Sequence, residues 1–169
     1  MVSFEFLAII LTGLGLTASI LYYSIVIRNQ DKTRQAQLLM DLYSKYQSTE
    51  YRNNSTEISQ QVWKDYDDWK QKYGLEVNPE SWAKWQSIAA FFNGVGVLLR
   101  RNLIDISLVN DLLANVVYKD WENMGYILVE WRKERPPRKR TNKHFDGFDF
   151  LYNELIKYVE EHPELQVPT

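Results

Sequence analysis

The run FLAIILTGLGLTASILYYSIVI, residues 6–27, carries no charged side chain over 22 positions. As a helix it reaches across a hydrocarbon core of about 30 Å. A cleaved signal peptide is the rival reading. It needs a basic start, a shorter apolar stretch and a small-residue cleavage site. Here Glu5 precedes the run and no Lys or Arg does. The apolar character also continues through Ile25, Val26 and Ile27, past the small pair Ala18-Ser19. The expectation is one uncleaved transmembrane helix over 6–27, with Tyr22 and Tyr23 at an interface.

Arg28, Lys32 and Arg34 follow the run and nothing basic precedes it. The positive-inside rule then puts residues 1–5 outside and the rest in the cytoplasm, in a single-pass protein of the cell (inner or plasma) membrane. The overlapping sequons at Asn53 and Asn54 go unused on that side.

Beyond the span, periodicity is helical almost throughout. Leu38, Leu39, Leu42 and Tyr46 mark a helix leaving the membrane. Ile58, Val62, Tyr66, Trp69 and Tyr73 make a second stripe, with Gly74 suited to its C-terminal cap. Asn78-Pro79-Glu80 is a helix start: a capping side chain, a first-turn proline, then an acid at the positive dipole end. Asp105 can cap a further helix with Val109, Leu112, Val116, Trp121, Met124, Leu128 and Trp131 inside, stopped by Pro136-Pro137. Phe145, Phe148, Tyr152, Leu155 and Val159 form the last stripe, ending near Pro163. The expected fold is all-α: a transmembrane helix, then a cytoplasmic helical bundle over 28–162 and a tail over 163–169.

The stretch FFNGVGVLLRRNLID, residues 91–105, admits three readings. A phosphate loop of the GxGxxG type needs a preceding strand and a third glycine, and only Gly94 and Gly96 are present. A second span fails on length, since the apolar run is about 12 residues. A buried helix end accounts for more. Ile88, Phe91, Phe92, Val95 and Leu99 form one stripe. Ala83, Ser87, Ala90 and Gly94 form a second, small enough for another backbone to approach. Arg100 and Arg101 fall in the last turn, where cations suit the carbonyl end. Asn102 takes the left-handed exit and Asp105 starts the next helix.

FFNGVGVLLRRNLID, followed by LVNDLLANVVYKDWENM, the Arg-ending EWR and a late aromatic helix, resembles a family of small single-span prokaryotic proteins classed as a domain of unknown function. The resemblance extends from the membrane helix to about Val159. It implies an N-terminal anchor and an all-helical remainder, and supplies no activity, cofactor or catalytic residue. Where that pattern has Gly after Arg101, this chain has Asn102, which also tolerates the left-handed conformation.

Chemistry is sparsely signalled. Among 169 residues there is no cysteine, hence no disulfide, thiolate nucleophile or Cys-based zinc site. Lys plus Arg number 20 against 22 Asp plus Glu, so no global basic field points to nucleic acid. His144 and His162 share no ligand spacing. His144 with Asp146 and Asp149 reads as a cap and a solvated face. Asp65, Asp67 and Asp68 lie opposite the Val62–Trp69 stripe and read as surface. No cofactor or metal is expected. The strongest polar feature is Arg132, Lys133, Arg135, Arg138, Lys139, Arg140 and Lys143, a candidate contact for anionic lipid or a partner, or else a solvated loop. Ala8, Thr12, Gly15 and Ser19, spaced four, three and four, form a candidate helix-dimer face and so a route to a homo-oligomer. The expected function is a membrane-anchored interaction module. The alternative is an enzyme with a site assembled from Asp and Arg residues of separate helices.

Overall fold

The structure, a computed structural model, describes residues 3–134 and 144–165. All regular structure among them is helical: α1 (Phe4–Tyr46), α2 (Thr49–Ser59), α3 (Tyr66–Tyr73), α4 (Pro79–Arg100), α5 (Ile106–Glu134), α6 (Asp146–Glu161) and a 3₁₀ turn (Pro163–Leu165). The chain divides into two compact units, Met1–Gln37 and Leu38–Thr169.

The first unit holds the apolar part of α1, which is long and apolar enough to cross a membrane and buries none of its most apolar window. The Thr and Ser hydroxyls of its apolar run are tied to its own backbone. Thr12 donates to the Ala8 carbonyl (2.8 Å), Thr17 to Gly13 (2.9 Å), Ser19 to Gly15 (2.8 Å) and Ser24 to Ile20 (2.7 Å). Each such bond satisfies a polar side chain within the helix itself.

In the second unit α4 packs most extensively on α6, α5 also lies against α6, and α2 and α3 sit across α4 and α5. The last turns of α1 contribute buried Leu39 and half-buried Leu42, Tyr43 and Tyr46. Trp69, Trp82, Trp85 and Trp131 converge, with Trp82 and Trp85 stacked at 5.3 Å and Trp131 5.5 Å from Trp82. Full burial of one large apolar side chain contributes about 1.5–3 kcal/mol, so this cluster is a main source of stability. At the other end of α4, Phe92 stacks on Phe148 of α6 at 4.6 Å.

Two readings of the periodicity change. The stripe from Ile58 to Tyr73 is not one helix: α2 ends at Ser59 and α3 begins at Tyr66. The Asp65 carboxylate accepts from the Asp68 amide (2.9 Å), and Asp68 accepts from the Lys64 amide (3.0 Å). These short acids offer the backbone an alternative to helix continuation and restart it as an N-cap. Val62, in the break, is 76% exposed. The second correction concerns the small stripe of α4. Ala83, Ser87 and Ala90 are exposed, and a Cβ on Gly94 would meet nothing within 4 Å. The close backbone approach is at Gly96 instead, where α6 crosses. Two residues turn a helix by about 200°, so Gly94 and Gly96 face opposite ways. At the crossing the Gly147 amide donates to Asn93 Oδ1 at 3.0 Å.

The corner after α4 forms as its residues dictate. Asn102 has φ 54°. Its amide donates to the Leu99 carbonyl and the Leu103 amide to the Leu98 carbonyl, both at 2.9 Å, the paired bonds of a Schellman ending. Asp105 then accepts from the Ser107 amide at 2.8 Å and opens α5.

Candidate functional site

The one charged side chain in the core among the described residues is Asp120, 2% exposed. It sits on α5 between Val116 and Met124, one turn from each, in the buried register of that helix. Two hydroxyls from α2 reach it. Tyr51 donates to Oδ2, and Ser55, one turn on, donates to Oδ1 at 3.0 Å. The four-residue spacing of Tyr51 and Ser55 puts both on the same face. Burial pushes the Asp120 carboxyl above its ordinary range, opposed by the two hydroxyl bonds and the Lys119 charge. Burial, then the Asp120 charge, pushes the Tyr51 phenol upward. Each oxygen of the Asp120 carboxyl thus has one hydroxyl donor, and the network joins α2 to α5.

A shallow depression of about 290 Å³ opens beside this network, lined by Tyr46, Arg52, Thr56, Asn115 and Lys119 together with Tyr51 and Ser55. A larger cleft, about 530 Å³, lies between α3, the α3–α4 connection and the end of α5. Tyr66, Trp69, Trp82 and Trp131 line it, with Asp67, Lys70, Glu76 and Glu134. Lys70 Nζ bonds both Glu134 oxygens at 2.9 Å, and the Tyr66 hydroxyl donates to Glu134 Oε2 at 3.0 Å. Of the aspartates read as surface, Asp65 and Asp68 organise the start of α3, Asp68 also pairs with Lys72, and Asp67 reaches this cleft.

The basic cluster separates. Arg132 is committed internally: Nε donates to the His144 carbonyl at 2.6 Å, an Nη to the Phe145 carbonyl at 3.0 Å, and the guanidinium pairs with Asp149. It pins the entry to α6, where Phe145 holds φ 57°. Burial nevertheless leaves the Asp149 carboxyl above its ordinary range, with Arg132 pulling the other way. Lys133 is exposed and pairs with Glu130 at 2.6 Å. Arg135, Arg138, Lys139, Arg140 and Lys143, and the Pro136-Pro137 stop, lie outside the described residues. His144 stacks edge-on against Trp131. No group of three or more metal-ligating side chains occurs among the described residues. Ala8, Thr12, Gly15 and Ser19 are exposed along α1.

The family described as Domain of unknown function (DUF4760) matches residues 5–154. The chain belongs to the DUF4760 family. The DUF4760 match starts in the first turn of α1 and ends within α6, so it includes Asp120, its two hydroxyl partners and the tryptophan-lined cleft. No curated protein and no solved structure matches the chain.

Proposed function

We propose that this protein is a prokaryotic single-span membrane protein whose helical unit lies on the cytoplasmic side and works by contact with protein or lipid. The observation that carries the reading is α1 of the first unit: an apolar helix with no buried residue in its window, whose Thr and Ser hydroxyls bond the carbonyls one turn back. Such a surface is costly in water and suited to lipid. The orientation rests on Arg28, Lys32 and Arg34 after the apolar run, with no basic residue before it. Lys133, together with Arg135, Arg138, Lys139 and Arg140, supplies charge for anionic headgroups at about 1 kcal/mol each.

The absence of native cysteine makes the test direct. Ser3→Cys and Gln71→Cys, in separate chains, are probed in intact cells with a membrane-impermeant maleimide. Ser3→Cys labels directly, and Gln71→Cys labels only after lysis. Labelling of Gln71→Cys in intact cells inverts the orientation, and release of the protein by alkaline carbonate removes the anchor.

A further inference from the structure

The seam between α2 and α5 is closed on its inner side by Asp120 and open on its outer side. Along the open side Arg52 and Thr56 of α2 and Asn115 and Lys119 of α5 line the depression of about 290 Å³. The four-residue spacing within each pair turns both of its members to one face of their helix. All four are exposed, and half-buried Tyr46 flanks them. The whole lining belongs to the second unit.

Each of these side chains can donate hydrogen bonds, and none is committed elsewhere. Among the described residues neither Arg52 nor Lys119 pairs with a carboxylate. The Thr56 and Tyr46 hydroxyls and the Asn115 amide likewise make no side-chain hydrogen bond there. Glu57, next to Thr56 in α2, is drawn away to Lys84 of α4. The lining therefore holds two positive charges and no carboxylate. Asp120 lies behind Tyr51 and Ser55, which turn their protons inward to it.

Donors converging from two helices call for an acceptor with several oxygens. A bare cation would meet Arg52 and Lys119, and an apolar body would leave the donors unanswered. A carboxylate brings two oxygens and one charge. A phosphate monoester brings three oxygens and a charge of about −1.5 to −2 at neutral pH. The volume sits at the lower edge of small-molecule sites, room for a head group rather than a large ligand.

We infer that this depression binds a phosphate monoester group, held between Arg52 and Thr56 of α2 and Asn115 and Lys119 of α5. The guanidinium fork takes two oxygens and the ammonium acts as a point charge. The bound group bridges from outside the same two helices that Asp120 bridges from inside.

The test uses the full chain in a neutral detergent, with calorimetric titration and the melting temperature as readouts. Glycerol 3-phosphate is compared with glycerol and with sodium chloride at equal ionic strength. Dioctanoyl phosphatidic acid is compared with dioctanoyl phosphatidylglycerol, an anionic phosphodiester. The monoesters bind saturably and raise the melting temperature, and their controls do not. Tighter binding of phosphatidic acid than of glycerol 3-phosphate assigns the group to a lipid, and the reverse order assigns it to a soluble ester. Arg52→Gln and Lys119→Gln each raise the dissociation constant about threefold to fivefold, the effect of one exposed charge contact. Both variants melt as the native chain does without ligand. Arg52→Lys stays within about twofold of native affinity, and so does Lys157→Gln, on α6 outside the depression. The inference is overturned by a flat titration with both monoesters, by an equal response to the controls, or by unaltered affinity in both Gln variants of the depression.

Discussion

A Cβ built on Gly96 would stand 1.8 Å from the carbonyl oxygen of Gly147, so α4 and α6 cross at a point that admits no side chain. The contact is reciprocal, since a Cβ on Gly147 would stand 2.4 Å from the Asn93 carbonyl. Both obstacles are backbone and cannot rotate away.

Gly96→Ala therefore forces the helices apart and lowers stability by about 1–3 kcal/mol, the usual cost of overpacking. Gly94→Ala, two residues earlier in the same helix and in open space, raises it by up to about 1 kcal/mol through helix propensity. Denaturant melts in mild detergent, followed by circular dichroism, compare the two. Equal effects would place the crossing elsewhere.

Asp120 gives a pH signature. Its carboxyl titrates above the ordinary value of 3.8 in the fold, so the protonated form is the one the fold favours. Stability from this group is present below 3.8 and declines as pH rises from there through the raised folded value. Asp120→Asn removes that decline, so its stability relative to the native chain is higher at pH 7 than at pH 4. Asp120→Ala instead strands the Tyr51 and Ser55 hydroxyls and costs about 1–3 kcal/mol at either pH. Melts of both variants across that range check the sign.

Arg132 and Lys133 are neighbours with different expected effects. Arg132→Met leaves the His144 and Phe145 carbonyls and the Asp149 carboxylate without their partner and costs about 1.5–3 kcal/mol. Lys133→Gln, on an exposed i,i+3 pair, leaves stability within about 0.5 kcal/mol. In a fragment beginning at Thr33, Lys133→Gln combined with Arg138→Gln weakens flotation on anionic liposomes at low salt, and the native fragment is released at high salt. Flotation unaffected by both charge removal and salt would discard the lipid contact.

Gly15→Ile places a branched chain in the middle of the Ala8–Thr12–Gly15–Ser19 face and lowers self-association in a membrane two-hybrid assay. An unchanged signal excludes this face from pairing.

The helices and most of their ends were legible because their signals are local. Asn78-Pro79-Glu80 opens α4, and Asn102 and Asp105 make the next corner, through bonds within a few residues. The break between α2 and α3 was missed because the Ile58–Tyr73 periodicity runs through it while the deciding groups, Asp65 and Asp68, read as surface. Gly96 was passed over for Gly94 because spacing shows which residues share a face and not which face a distant helix covers. Asp120 left a trace, an acid one turn from both Val116 and Met124, but its meaning depends on Tyr51 and Ser55, more than sixty residues away. The tryptophan-lined cleft left none, since its residues come from three helices.

The hydroxyls of Thr12, Thr17, Ser19 and Ser24 have already given their protons to carbonyls of their own helix. If α1 lies in a bilayer, a second helix alongside would find lone pairs at these four positions and no hydroxyl proton to accept. Recognition between such rods would then turn on steric fit, sensitive to a single methyl group and to bilayer thickness, and almost indifferent to ionic strength. Exchange between paired and solitary states would be governed by lipid packing rather than by any electrostatic latch.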